Sequence, residues 1–134
     1  MLHQVQRGIW LFVVVGMALF AAGPKAGAAS SSLSGDPVPV PAPGMVTVLD
    51  LGAKSCIPCK MMAPVLENLA HKYEGKAAIV FIDVWQHPEQ TERFGIRAIP
   101  TQIFYDASGK EIMRHEGFFP QESIEKVLAR LGVH

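Results

Sequence analysis

The chain has 134 residues, 49% of them hydrophobic, and its twelve basic and twelve acidic side chains cancel to a formal charge of zero. That length leaves room for one domain. It holds no basic block of the kind that grips nucleic acid, so no nucleic-acid partner is expected.

The first element is a targeting signal. Arg7 precedes an uncharged stretch from Gly8 to Pro24, whose apolar centre runs from Ile9 to Ala22, and Ala26-Gly27-Ala28 follows. A basic start, a short apolar centre and a small-residue end match a secretory signal peptide over residues 1–28. The alternative is an uncleaved membrane anchor, although a spanning helix wants about 20 apolar residues and this centre is shorter. Cleavage after Ala28 would remove Arg7 and Lys25, two of the twelve basic side chains, and none of the acids, leaving a formal charge of −2. The expected location is periplasmic or secreted. There the only two cysteines, Cys56 and Cys59, form either a stable bridge or a working redox pair.

Residues 29–44 are rich in Ser, Gly, Ala and Pro, with prolines at 37, 39, 41 and 43. Such a stretch cannot hold a helix and reads as an extended tether, with a short docking strand as the alternative. The folded domain is expected over residues 45–134. Val46, Val48, Leu49 and Leu51 mark a mostly buried strand ending near Gly52. Met62, Val65, Leu66, Leu69 and Tyr73 stripe a helix from about Cys59 to Tyr73, with Pro64 inside it as a kink. The near-continuous apolar run from Ala78 to Val84 suits a strand covered on both faces, as in a parallel sheet. Pro88 to Phe94 reads as a short helix closed by Gly95. Thr101 to Tyr105 and Lys110 to His115 read as a hairpin across an Asp106–Gly109 turn. A last helix begins near Pro120, striped by Ile124, Val127, Leu128 and Leu131. A βαβ unit followed by a ββα unit predicts an α/β fold with a central mixed sheet flanked by helices.

Cys56-Ile57-Pro58-Cys59 falls between the first strand and the first helix. A thiol at a helix N-terminus meets unpaired backbone N–H groups and the positive end of the helix dipole. Both favour the thiolate, which is the nucleophile of disulfide exchange. A second thiol one turn on can close a bridge without large backbone movement. CxxC beside a βαβ pattern is a redox signature.

At this point the chain resembles the thioredoxin family, from about Val46 to Leu131. Asp50 stands six residues before Cys56, where thioredoxins keep a buried acid, and Pro64 eight after it, at the family's kink. Lys60 completes a CxxCK pattern. Gly95-Ile96-Arg97-Ala98-Ile99-Pro100-Thr101 looks like the segment carrying the family's cis-proline, and Phe104-Tyr105-Asp106, Gly109-Lys110 and Gly117 follow in family order. The resemblance implies a thioredoxin-like fold and a protein-disulfide reductase. Cys56 would be the attacking thiol, Cys59 the resolving thiol and Asp50 a buried proton acceptor. Ile57, Pro58, Ile99, Pro100 and Gly117 would border the substrate groove, with Ile99 offering backbone groups to an extended client. The redox disulfide itself would be the only prosthetic chemistry, with no metal and no organic cofactor.

Three departures bear on partners. Ser55 stands where thioredoxins usually place Trp, and Ile57 replaces the Gly between the cysteines. Ile79 is read as occupying the place of a buried Lys beside the acid. Without that cation, desolvation would push the Asp50 pKa up. The oxidant branch of the family usually carries His where this chain has Pro58, which favours a reductant acting on envelope proteins. No GxGxxG is present for a nicotinamide or flavin, so a membrane thiol–disulfide relay is the implied electron donor, and a monomer is expected. The rival readings are a net oxidase or isomerase, a redox-inert interaction module and a copper carrier gripping the ion with Cys56 and Cys59. Trp85 is read either as aromatic surface near the groove or as core packing. His71, His87, His115 and His134 stand at no ligand spacing and read as surface residues.

Overall fold

The computed structural model describes residues 30–134. The expected signal segment lies outside the described residues. Five strands and three helices follow in the order β1 (Ser32–Gly35), β2 (Val46–Gly52), α1 (Ile57–Lys72), β3 (Ala77–Asp83), α2 (Glu89–Phe94), β4 (Thr101–Tyr105), β5 (Glu111–Glu116) and α3 (Gln121–Arg130). The sheet order is β1-β3-β2-β4-β5. β1, β3 and β2 run parallel, while β4 and β5 run antiparallel to their neighbours. This is the thioredoxin-like α/β fold with a mixed five-stranded sheet.

Side chains alternate across a strand, so β2 builds two cores at once. Val46 and Val48 face α1 and α3, packing with Met62, Leu66, Leu69, Ile79, Phe104, Ile124 and Leu128. Leu49 and Leu51 face the other way, with Val80, Ile82 and Ile103. All seven residues of β2 are buried, as a central strand covered on both faces must be.

The Pro/Ser-rich stretch is not a free tether over its described part. Residues 32–35 are the sheet's edge strand, paired with β3 and tied to it further by the Ile79 N–H donating to Ser31 Oγ at 3.0 Å. Val38 and Val40 then pack over the Leu49–Ile82 face beside Phe94, Ile96 and Ile99. The second face therefore has an extended strap where residues 36–44 cross it. Composition concealed this because one apolar residue in every two or three is enough to dock an extended chain.

Local signals terminate the helices. α1 opens two residues earlier than its apolar stripe suggested, because Pro58 suits a first helical turn, where no N–H is needed. α2 stops at Gly95, whose φ of +60° is the left-handed conformation that ends helices. The β2–α1 and β3–α2 turns, the start of β4 and the end of β5 all fall on one edge of the sheet. Gly52 pairs with Asp83, Leu51 with Thr101, and Thr101 with Glu116.

Candidate active site

That edge carries the cysteine pair. Cys56 is the N-cap of α1, with extended backbone (φ −82°, ψ 130°), and its Sγ accepts the Cys59 N–H at 3.3 Å. No acidic residue occupies the first turn of α1, so nothing offsets the positive end of the helix dipole there. Cys56 and Cys59 are joined in a disulfide with a Cα–Cα separation of 5.2 Å. The two sulfurs are unequal: Cys56 is half-buried, while Cys59 is 5% exposed.

The inner sulfur sits over β2. A side-chain carbon placed on Gly52 would lie 3.2 Å from Cys59 Sγ and 3.3 Å from the Phe81 ring. Beyond it is a mainly apolar cavity of about 230 Å³, lined by Cys59, Leu33, Ala53, Leu66 and Phe81, with Lys54, Lys60 and Glu67 along its rim.

Asp50 lies two residues before Gly52, on the same strand face, and is completely buried. It is not an exposed strand-end acid. Burial pushes its pKa from 3.8 up to about 7, and a hydrogen bond from Gln102 Nε2 to its Oδ1, at 2.7 Å, pulls weakly the other way. On β3, Ile79 stands opposite Val48 and Phe81 opposite Asp50, both on the strand face that Asp50 occupies, so that side of the acid is apolar. Its polar partner comes from β4. Nothing in the local sequence marked Gln102. The hint was a polar amide inside the apolar run Ile99 to Tyr105.

Ile99 and Pro100 lead into β4, joined by a cis peptide bond. Among the described residues neither the N–H nor the C=O of Ile99 is hydrogen-bonded, whereas the Pro100 carbonyl accepts the Gly117 N–H at 2.7 Å. Gly117 has φ +94°, a conformation costly for any other residue, and open space where a side chain would stand. The sheet edge thus brings Asp50, Cys56, Cys59, Ile99, Pro100 and Gly117 to one end of β2, β4 and β5.

Asp83 is the residue that reading the sequence missed. Only 2% exposed, it accepts the backbone N–H groups of Lys54 (3.1 Å), Trp85 (3.0 Å) and Gln86 (3.2 Å), and Gln86 Nε2 (3.0 Å). Burial alone would raise its pKa, but these donors outweigh it and hold the carboxyl below its usual range. It pins the loop before Cys56 to the loop carrying Trp85. Trp85 is 62% exposed, which excludes the core-packing alternative, and Ile57 is 76% exposed. His71 and His134 lie at the surface, but His87 and His115 are half-buried, with the His115 ring stacked on Phe119 at 4.1 Å. No group of three or more potential metal ligands occurs among the described residues.

The chain is similar to known proteins over most of its described length. The family model described as Thioredoxin matches residues 40–130. A thioredoxin of Staphylococcus aureus is 42% identical over 83 residues, covering 62% of this chain and 79% of its own. One of Staphylococcus saprophyticus is 40% identical over 85 residues, covering 63% and 81%. Among solved structures, chloroplastic thioredoxin z superposes with a TM-score of 0.60 at 28% identity, over 66% of this chain and 80% of that one.

Proposed function

Because the chain belongs to the thioredoxin family and is a protein-disulfide reductase working through its CxxC pair, we propose that it serves this chemistry outside the cytosol, on disulfides of envelope or secreted proteins. The single observation that carries the site assignment is the asymmetry of the two sulfurs. Cys56 is reachable and held at a helix N-terminus with an N–H aimed at its sulfur. Cys59 is enclosed over Gly52.

The steps follow from that asymmetry. The Cys56 thiolate attacks one sulfur of a client disulfide, forming a mixed disulfide and releasing the first client thiolate. Cys59 loses its proton to Asp50 and attacks Cys56 Sγ. The Cys56–Cys59 bond forms, the mixed disulfide breaks, and the second client thiolate leaves. Two electrons of the enzyme dithiol end on the client; the Cys59 proton rests on Asp50, and the client thiolates take up protons from solvent. Ile57, Pro58, Ile99, Pro100 and Gly117 border the groove, where the unpaired N–H and C=O of Ile99 are free to pair with an extended client backbone.

The compartment and the electron donor rest on the sequence. Residues 1–28 have the form of a signal peptide, and the described fold begins shortly after them with β1. A reductase outside the cytosol has to be recharged, and a membrane thiol–disulfide relay supplies the electrons without a bound nicotinamide or flavin. The test is a Cys59→Ser chain expressed with its own N-terminus. It should accumulate mixed disulfides with exported proteins through Cys56, and the purified wild type should reduce insulin disulfides. Mixed disulfides confined to cytosolic proteins, or a Cys56→Ser variant that still reduces insulin, would refute the reading.

A further inference from the structure

Asp50 is enclosed with an unusual partner. Neighbouring positions across the sheet carry Phe81 on β3 and Gln102 on β4, and both Asp50 and Gln102 are 0% exposed. Cys59 and Met62 are buried on α1 above this face. One hydrogen bond joins the pair, from Gln102 Nε2 to Asp50 Oδ1 at 2.7 Å. The second carboxyl oxygen, Asp50 Oδ2, and the amide oxygen, Gln102 Oε1, have no protein partner. Two buried acceptors left without donors are costly. A single proton added to the pair removes much of that cost.

We propose that Gln102 is a positioning residue for proton exchange at Asp50, its carboxamide offering an N–H to the carboxylate and, turned over, a C=O to the carboxylic acid. The terminal amide torsion of Gln is broad and two-fold, so the half-turn is open to it. A carboxylic acid donates one O–H and a carboxylate only accepts, and a primary amide, with a C=O and an NH2, is a neutral group that matches both. A lysine ammonium donates only, so it would lock Asp50 charged. An apolar residue would match neither state. Gln102 therefore lets a buried carboxyl take up the Cys59 proton and give it back with a hydrogen-bond partner in both states.

No charged group takes this part. Lys54, Lys60 and Glu67 rim the cavity beyond Cys59, Asp83 is turned to the loop amides, and His115 lies across β4 on β5. None of them makes a hydrogen bond or ion pair with Asp50 among the described residues. The burial-raised pKa of Asp50, about 7, agrees with a carboxyl poised to titrate under working conditions.

The inference rests on Asp50 being the proton acceptor of Cys59, and the experiment separates the two. In the full chain, the Asp50 carboxyl carbon is titrated by NMR, and insulin reduction is followed from pH 5 to 9, for wild type, Gln102→Met, Gln102→Lys and Asp50→Asn. Gln102→Met should move the carboxyl titration and the acid limb of the rate up together by about one unit or more. The rate at pH 7 then falls roughly fivefold and recovers at higher pH. Gln102→Lys should move both down. Folded Gln102 variants that keep the wild-type titration and acid limb overturn the role of Gln102. So does a wild-type Asp50 that titrates in the ordinary carboxyl range. If instead Asp50→Asn keeps the wild-type rate and acid limb, the reading of Asp50 itself fails, whatever Gln102 does.

Discussion

Gly52 lies against the inner sulfur so closely that the first carbon of any side chain there would stand 3.2 Å from Cys59 Sγ. Glycine lets α1 settle the pair onto β2 without displacing a neighbour. Gly52→Ala forces Cys59 and the Phe81 ring, 3.3 Å away on the same face, to give by a few tenths of an ångström. The expected cost is about 1–2 kcal/mol of overpacking, read as a lower urea midpoint at unchanged slope. A midpoint equal to the wild type's would mean that the helix shifts freely.

Asp50 makes stability depend on pH in an unusual direction. Its pKa is about 7 folded against 3.8 in an unperturbed chain, so the native state holds a proton that the unfolded state has released. Stability is then full below about pH 4 and declines as the pH rises toward 7. The total loss is on the order of 4 kcal/mol. Asp50→Asn keeps an oxygen for Gln102 Nε2 and carries no charge. It should be more stable than wild type at pH 8, with the difference vanishing at pH 4. Parallel urea curves for the two proteins across this range would contradict the assignment.

Asp83 behaves oppositely. Its folded pKa is depressed, so its contribution is present above the ordinary carboxyl pKa and is lost as acid protonates it. Asp83→Ala leaves four N–H donors around Lys54, Trp85 and Gln86 without their acceptor. A loss of about 2–4 kcal/mol is expected, together with faster amide exchange at Lys54 and Trp85. Unchanged exchange at Lys54 would show that the loop before Cys56 does not depend on this carboxylate.

Trp85, exposed and hydrogen-bonded through its backbone N–H to Asp83, presents its indole on the active-site edge. It is the only tryptophan after residue 28, so its emission should differ between the oxidised and reduced forms. Trp85→Ala should raise the KM for a protein disulfide about fivefold with kcat held, the scale expected when one aromatic side chain is removed from an interface. Identical spectra in the two redox forms, with an unchanged KM, would separate the indole from the site.

What was legible without coordinates was local. The CxxC spacing, the helix-opening Pro58, the helix-closing Gly95 and the β2, β3 and β4 runs are written within a few residues of where they act. The chemistry of Cys56 could be read because an N-cap depends only on the turn that follows it. A long apolar run identifies a covered strand without saying which of its residues faces which neighbour. Gln102, which faces Asp50 from the neighbouring strand, could not be read off in that way.

The amino-acid sequence by itself determined the element order, the placement of the cysteine pair at a helix start, and the position of an acid six residues before it. Tertiary structure alone decided what surrounds that acid, where residues 32–44 dock, and which carboxylate ties the Lys54 loop to the Trp85 loop. These pairings join residues far apart in the chain, 52 positions for Asp50 and Gln102. Their identity follows from strand register, and register is a property of the assembled sheet, where a one-residue slip turns every side chain to the opposite face.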